Sequence, residues 1–167
     1  MSIRDLIKLA FVSPYQQRTL WTCSAACLKA VLGHWGRTVS EEEAVEAVGA
    51  REGRGAETTQ IVEGAVSLGF DAMEMSFDSL DQAKALTDQD IPVICDLQSF
   101  NNPGKGHYVV LTGIDEMVHL MDPNTPGNVR TISKEEMEQR WWDRWIKPPN
   151  QLMLKWGVLV APPGVIP

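Results

Sequence analysis

"QQRTLWTCSAACLKAVLGHWG", Gln16 to Gly36, passes from polar residues through Cys23 into a run of small and apolar side chains. Cys23, Cys27, Leu28, Val31, Leu32 and Trp35 recur at spacings of three and four. That spacing predicts a helix over Cys23 to Trp35 with one buried face, stopped by Gly36. A thiol at a helix start meets unpaired amide N–H groups and the positive end of the helix dipole. Cys23 therefore has two readings, a core thiol that begins a helix or a nucleophile that the helix activates.

Working outward, Ser40 and Glu43 have the spacing of a capping box, and Thr58 or Thr59 before "QIVEGAVSLG" starts a further helix that ends at Gly69. Beyond Gly69 the pattern changes. "FDAMEMSF", "IPVICDL", "HYVVLTGI", "VHLMD" and "LMLKWGVLVA" read as strands, separated by the turn-forming "NNPGKG" and "DPNTPGN". Ser79 introduces a helix between the first two strands, and Ser133 with Glu136 introduces "KEEMEQRWWDRW". The fold class is α+β, a helical layer packed on a largely antiparallel sheet. Neither repeat nor linker interrupts it, so residues 1–167 are expected to form one domain.

With 44% hydrophobic and 22% charged residues, the composition is that of a globular protein. The 15 basic and 22 acidic residues leave a net charge of −7, which removes the footprint that nucleic acid or an anionic membrane surface needs. Three cysteines, two of them four apart, do not form a paired secretory framework and suit a reducing compartment. Arg4, Asp5 and Lys8 interrupt the apolar residues of the amino terminus, and no run reaches the roughly 18 apolar residues of a membrane span. The expectation is a soluble, cytoplasmic protein.

A nucleophilic thiolate needs a base, and the chain has three histidines. His34 stands at the far end of the Cys23 helix, roughly 16 Å away at the helical rise. His119 alternates with Val118 and Leu120 and reads as solvent-facing or structural. His107 follows the "NNPGKG" turn and opens the strongest strand, a usual place for a catalytic group. An orienting acid comes from Asp122 in "MDPN" if the two strands form a hairpin; Asp115 and Asp96 compete, and an aspartate before proline is also a common turn former. A zinc site on Cys23, Cys27 and His107 lacks an evident fourth ligand, so neither metal nor cofactor is implied. Trp141, Trp142, Trp145 and Trp156 read as core packing before a peptide groove.

Gln17, "TCSAACLKAVLGHWG", "GHYVVLTGID", "MDPN" and "SKEEMEQRWW", in that order, resemble the papain-like cysteine peptidases that form the amino-terminal domain of bacteriocin-exporting ABC transporters and cleave leaders after a double glycine. The resemblance spans about Gln16 to Trp142. It implies Cys23 as nucleophile, His107 as general base and acid, Asp122 as the orienting acid, and Gln17 with the Cys23 backbone N–H as donors to the oxyanion. It also implies Cys27 as packing, a peptide or protein substrate, and a transient association with an exporter. Ser24 departs from the family's usual Gly and is expected to narrow the approach to the sulfur or to cap the helix. No membrane segment or ATP-binding cassette follows, so a stand-alone peptidase is expected. The same thioester chemistry serves acyl transferases and deamidases on papain-like folds. A non-catalytic peptide-binding module is the alternative from another class, disfavoured by the joint presence of Cys23, His107 and Asp122.

Overall fold

The computed structural model describes residues 17–19, 21–102, 104–144 and 151–167. Three helices come first: α1 (Cys23–His34), α2 (Glu41–Val48) and α3 (Thr58–Ser67). There follow β1 (Asp71–Ser76), α4 (Leu80–Thr87), β2 (Val93–Gln98), β3 (Gly106–Ile114), β4 (Met117–Met121) and β5 (Val129–Ser133). The described chain ends with α5 (Lys134–Arg140), β6 (Trp142–Arg144), β7 (Leu152–Leu154) and β8 (Trp156–Ala161). One six-stranded sheet has the order β1-β8-β2-β3-β4-β5, with every neighbouring pair antiparallel, while β6 and β7 form a separate ribbon. The α+β expectation holds.

Helix α1 is buried on almost every side, from Ser24 through Leu28 and again at Ala30 to Leu32. Its small residues let it lie between the sheet and the α2–α3 pair; Leu28, Val31 and Leu32 share a core with Ile94, Tyr108, Val110, Val158 and Val160. Gly36, at φ 84°, ends it. The opposite face of the sheet carries a second core, in which Val93, Cys95, Leu97, Val109 and Leu111 meet Phe77, Ala83, Met137 and Trp141. Strands covered on both faces have no polar side to show. That is why "IPVICDL" and "HYVVLTGI" are continuous apolar runs, and why the helical layer on one face is matched by α4 and α5 on the other.

Ser40 and Glu43 form the expected capping box, and Ser79 and Ser133 cap α4 and α5. For α3 the cap lies one residue earlier than Thr58: Glu57 is the N-cap and its box partner is Gln60. The stretch "LMLKWGVLVA" is two strands in different sheets, because Lys155 takes φ 46° and turns the chain between β7 and β8. Trp141 and Trp156 pack as expected. Trp141 is buried against Phe77 and donates to the Trp156 carbonyl at 2.9 Å, and Trp156 donates to Thr58 Oγ1 at 3.3 Å. Trp142 is half-buried, and Trp145 lies outside the described residues.

Candidate active site

Two local structures converge on Cys23. The first is the start of α1, where Thr22 occupies the N-cap but its side chain makes no cap hydrogen bond; its hydroxyl accepts from the Thr19 N–H at 3.2 Å. The first-turn amides of α1 thus keep no side-chain cap, and Cys23, half-buried, sits among them. The second is the β3–β4 hairpin, closed at Asp115, where Oδ1 accepts from Met117 N at 2.8 Å. Its register brings the residue after β4, Asp122, back beside the start of β3 and His107.

His107 Nε2 and Asp122 Oδ1 are 2.7 Å apart, with both side chains buried. His107 also hydrogen-bonds Cys23, and with Nε2 taken by Asp122 this bond falls to Nδ1. Burial by itself lowers the imidazole's pKa, but the hydrogen bonds to Asp122 and Cys23, with their charges, overcome it and raise His107 to about 9. Burial likewise opposes ionisation of Asp122, and is overcome by the hydrogen bond and charge of His107 and by bonds from Asn124 and Thr125, so its pKa falls to about 2. An imidazolium between a carboxylate and the sulfur is the protonation state that attracts a thiolate.

Asp122 is also the turn former that an Asp before Pro suggests. Oδ1 accepts the Asn124 N–H at 3.0 Å and Oδ2 accepts the Thr125 hydroxyl at 2.9 Å. The same residue thus bonds His107 and forms the turn. Asp115 is at the other end of the hairpin, exposed and 3.0 Å from His119, which is thereby structural. Asp96 is buried opposite Tyr108; burial first, and then Asp143, push its carboxyl well above the usual range. His34 bonds the Asp90 carbonyl at 2.8 Å, far along α1.

Gln17 is buried and anchored beside the hairpin, its backbone N–H donating to the Pro123 carbonyl at 2.9 Å. Its side-chain amide donates to the Thr19 carbonyl at 2.5 Å. Ser24 does not cap α1: it is fully buried, and its Oγ has no hydrogen-bond partner among the described residues. Cys27 and Cys95 are fully buried, and burial pushes both thiols up. Iodoacetamide is therefore expected to label Cys23 about tenfold or more faster than either, and His107→Ala to slow that labelling. Equal labelling of all three in the folded protein, read by peptide mass mapping, would contradict an activated Cys23.

Sequence reasoning missed two neighbours of this site. Arg130 on β5 donates through Nε to Asp122 Oδ2 at 3.0 Å. Its signal was the short alternation Val129-Arg130-Thr131-Ile132. Asp143 on β6 lies against Gly106, where an added Cβ would come 2.1 Å from its Oδ2, and Gln98 Nε2 donates to its Oδ1 at 3.3 Å. The glycine before His107 thus has a local reason. Among the described residues no group of three or more His, Cys, Asp or Glu is placed to hold a metal ion.

The family model described as "Peptidase_C39 like family" matches residues 10–145. No curated protein matches the sequence significantly. Among solved structures, the chain is similar to the peptidase domain of Streptococcus ComA, a bi-functional ABC transporter involved in a quorum-sensing pathway: TM-score 0.69, 21% identity, covering 90% of this chain and 98% of that one. A double-glycine-motif protease from an AMS/PCAT transporter, in complex with its leader peptide, gives 0.67 at 18% identity, covering 90% and 91%. A Bacillus anthracis protein described as C39-like gives 0.69 at 17% identity, covering 90% and 94%. At these identities the likeness to the structures is one of fold.

Proposed function

The chain belongs to the Peptidase_C39 like family, and we propose that it is a cysteine peptidase that cleaves a peptide bond through a thioester on Cys23, removing a leader after a glycine pair. The observation that carries this is the contact of His107 with both Cys23 and Asp122, at the amino end of α1. In this reading the whole of 1–167 forms one peptidase domain.

The Cys23 thiolate attacks the scissile carbonyl carbon, and the oxyanion that forms accepts from the Cys23 backbone N–H and the side-chain amide of Gln17. Collapse breaks the C–N bond, and the His107 imidazolium gives its Nδ1 proton to the departing amine, leaving a thioester. His107 then takes a proton from water, whose oxygen attacks the thioester; the acid product leaves and the thiol returns. Asp122 keeps the Nε2 proton in place throughout, so that Nδ1 remains the nitrogen that exchanges.

A cavity of about 330 Å³ adjoins this site, lined by Thr19, Trp21, Thr22 and Val45 with Glu42 and Glu46. Its floor is apolar and it begins one residue from the nucleophile, which suits an extended peptide laid across the amino end of α1. Three free thiols suit a reducing compartment, and we assign the protein to the cytoplasm, in transient association with an exporter. Among the described residues no helix is long and apolar enough to cross a membrane.

The test is mass spectrometry of glycine-pair leader peptides after incubation with the protein, together with acid-quenched intact protein. Cleavage on the carboxyl side of the glycine pair, with an acyl adduct on Cys23 and none on protein alkylated beforehand, is the expected result. Peptides bound but uncut, with no adduct, would leave a peptide-holding module as the better account.

A further inference from the structure

Asp122 has two carboxylate oxygens, and the triad uses one. The other is held by a side chain that the chemistry above does not require. Arg130 Nε donates to Asp122 Oδ2 at 3.0 Å, and Arg130 Nη2 donates to Thr125 Oγ1 at 2.5 Å, whose own hydroxyl donates to the same Oδ2 at 2.9 Å. The guanidinium therefore grips Oδ2 twice, directly and through a hydroxyl. Oδ1 is left to His107 and the Asn124 N–H.

The guanidinium is itself packed over a ring. Its Cζ lies 4.1 Å from the centroid of the Phe100 ring, and Arg140 of α5 lies 4.7 Å from the same centroid. Arg140 is tied in turn to Glu136 at 2.9 Å and to the Ser99 carbonyl at 3.4 Å. Phe100 thus joins the loop that precedes His107 to β5 and α5, and the cation–π contact adds to the hold on the guanidinium beside the carboxylate. Arg130 is about a quarter exposed but its partner Asp122 is almost fully buried, so the pair is only partly screened by water.

We propose that Arg130 is a positioning residue for the Cys23–His107–Asp122 relay: it fixes the plane of the Asp122 carboxylate through the oxygen His107 does not use, and it limits how strongly that carboxylate holds the imidazolium. The proposal rests on the triad reading above. Two consequences separate it from a loop pin. Geometry first: without the grip on Oδ2 the carboxylate can swing, and Nδ1 loses its aim at the sulfur. Charge second: removing a cation beside Asp122 leaves the imidazolium better stabilised, so His107 keeps its proton to higher pH.

Among the described residues, the other titratable or charged groups around this pair are Cys23 and Cys27 on α1, Asp96 on β2, Asp143 on β6, and Arg140 on α5 across Phe100. A substitution at position 130 removes none of these groups.

The experiment compares wild type, Arg130→Gln and Arg130→Lys by two readouts. One is kcat/KM for a glycine-pair peptide; the other is the pH profile of Cys23 alkylation by iodoacetamide, whose upper inflection reports loss of the His107 proton. Both variants should lose roughly ten- to a hundredfold in kcat/KM, the size of one charge-assisted hydrogen bond. In Arg130→Gln the upper inflection should rise by about 0.5–1 pH unit, while Arg130→Lys keeps the wild-type value. A folded Arg130→Gln with the wild-type inflection overturns the proposal, as does kcat/KM within about twofold of wild type. Should Arg130→Gln fail to fold, Thr125→Val decides: it removes the hydroxyl between Arg130 and Asp122 and leaves the charges, so a tenfold loss with an unmoved inflection is expected, and an undiminished rate overturns the proposal. If wild type cuts no peptide, the peptidase reading fails by itself, and the alkylation inflection still decides the role of Arg130.

Discussion

Asp122→Asn is expected to lower kcat/KM for peptide cleavage by about 10³–10⁴, the scale of loss when the carboxylate that orients a catalytic imidazole becomes an amide. The structure says why an amide cannot simply take its place. Oδ1 receives the His107 Nε2–H and the Asn124 N–H; Oδ2 receives Arg130 Nε and the Thr125 hydroxyl. An asparagine has one oxygen, so its NH2 must face donors on one side or the other. The charged guanidinium is the stronger donor and claims the oxygen, which turns the NH2 towards His107. Nε2 must then be the acceptor and Nδ1 must carry the proton. In that tautomer the imidazole cannot take the proton of the Cys23 thiol, and the imidazolium, with an N–H facing an NH2, is disfavoured.

Alkylation of Cys23 in Asp122→Asn should fall along with turnover, while Asp115→Asn, at the far end of the hairpin, should stay within about twofold of wild type. Thermal unfolding of Asp122→Asn should show a loss of about 1–3 kcal/mol from the unsatisfied buried donor, with the fold intact. An inactive Asp115→Asn beside an active Asp122→Asn would place the orienting acid elsewhere.

How much of this was legible in the sequence depends on whether a residue's partner lies within its own element's pattern. The α1 periodicity ran from Cys23 to Trp35 and ended at a glycine, and the helix is Cys23–His34. Asp122 was to reach His107 if the strands flanking Asp115 formed a hairpin, and they do pair so. A helix fixes distances along itself, which set His34 apart from Cys23, and the structure brings His107 to Cys23 and Asp122. By contrast, β5 is a five-residue strand with Val129 and Thr131 exposed, so its alternation was too short and too polar to stand out. The break at Lys155 was hidden because a non-glycine residue at φ 46° carries no mark in the sequence. The cap on α3 was missed because glutamate is an uncommon N-cap, although Gln60 stood at the right spacing. Asp143 reaches Gly106 across the join between two sheets, a contact set by tertiary packing alone. Ser24 was judged from its chemistry as a possible cap, but it is a fully buried residue of α1 itself, and its hydroxyl does not cap.

Gln17→Ala is expected to lower single-turnover cleavage by roughly 10²–10³, equivalent to about 2.7–4 kcal/mol, the cost of losing one donor to an oxyanion. Two hydrogen bonds hold the residue in place. Its backbone N–H bonds the Pro123 carbonyl, next to Asp122, and its side-chain amide bonds the Thr19 carbonyl in the turn that leads into Thr22 and α1. Thr19 and Thr22 fix each other through their hydroxyls at 3.2 Å, so the amide rests on an ordered turn. A donor placed in advance costs no reorganisation when charge develops on the substrate oxygen. It contributes little to the ground-state carbonyl, and affinity should therefore be nearly unchanged, measured with Cys23→Ala against the Cys23→Ala, Gln17→Ala pair. A loss of affinity as large as the loss of rate would make Gln17 a binding residue. If instead Gln17→Ala cleaves as fast as wild type, the oxyanion draws on the α1 amides alone, and Gln17 serves to tie the turn before α1 to the loop after Asp122.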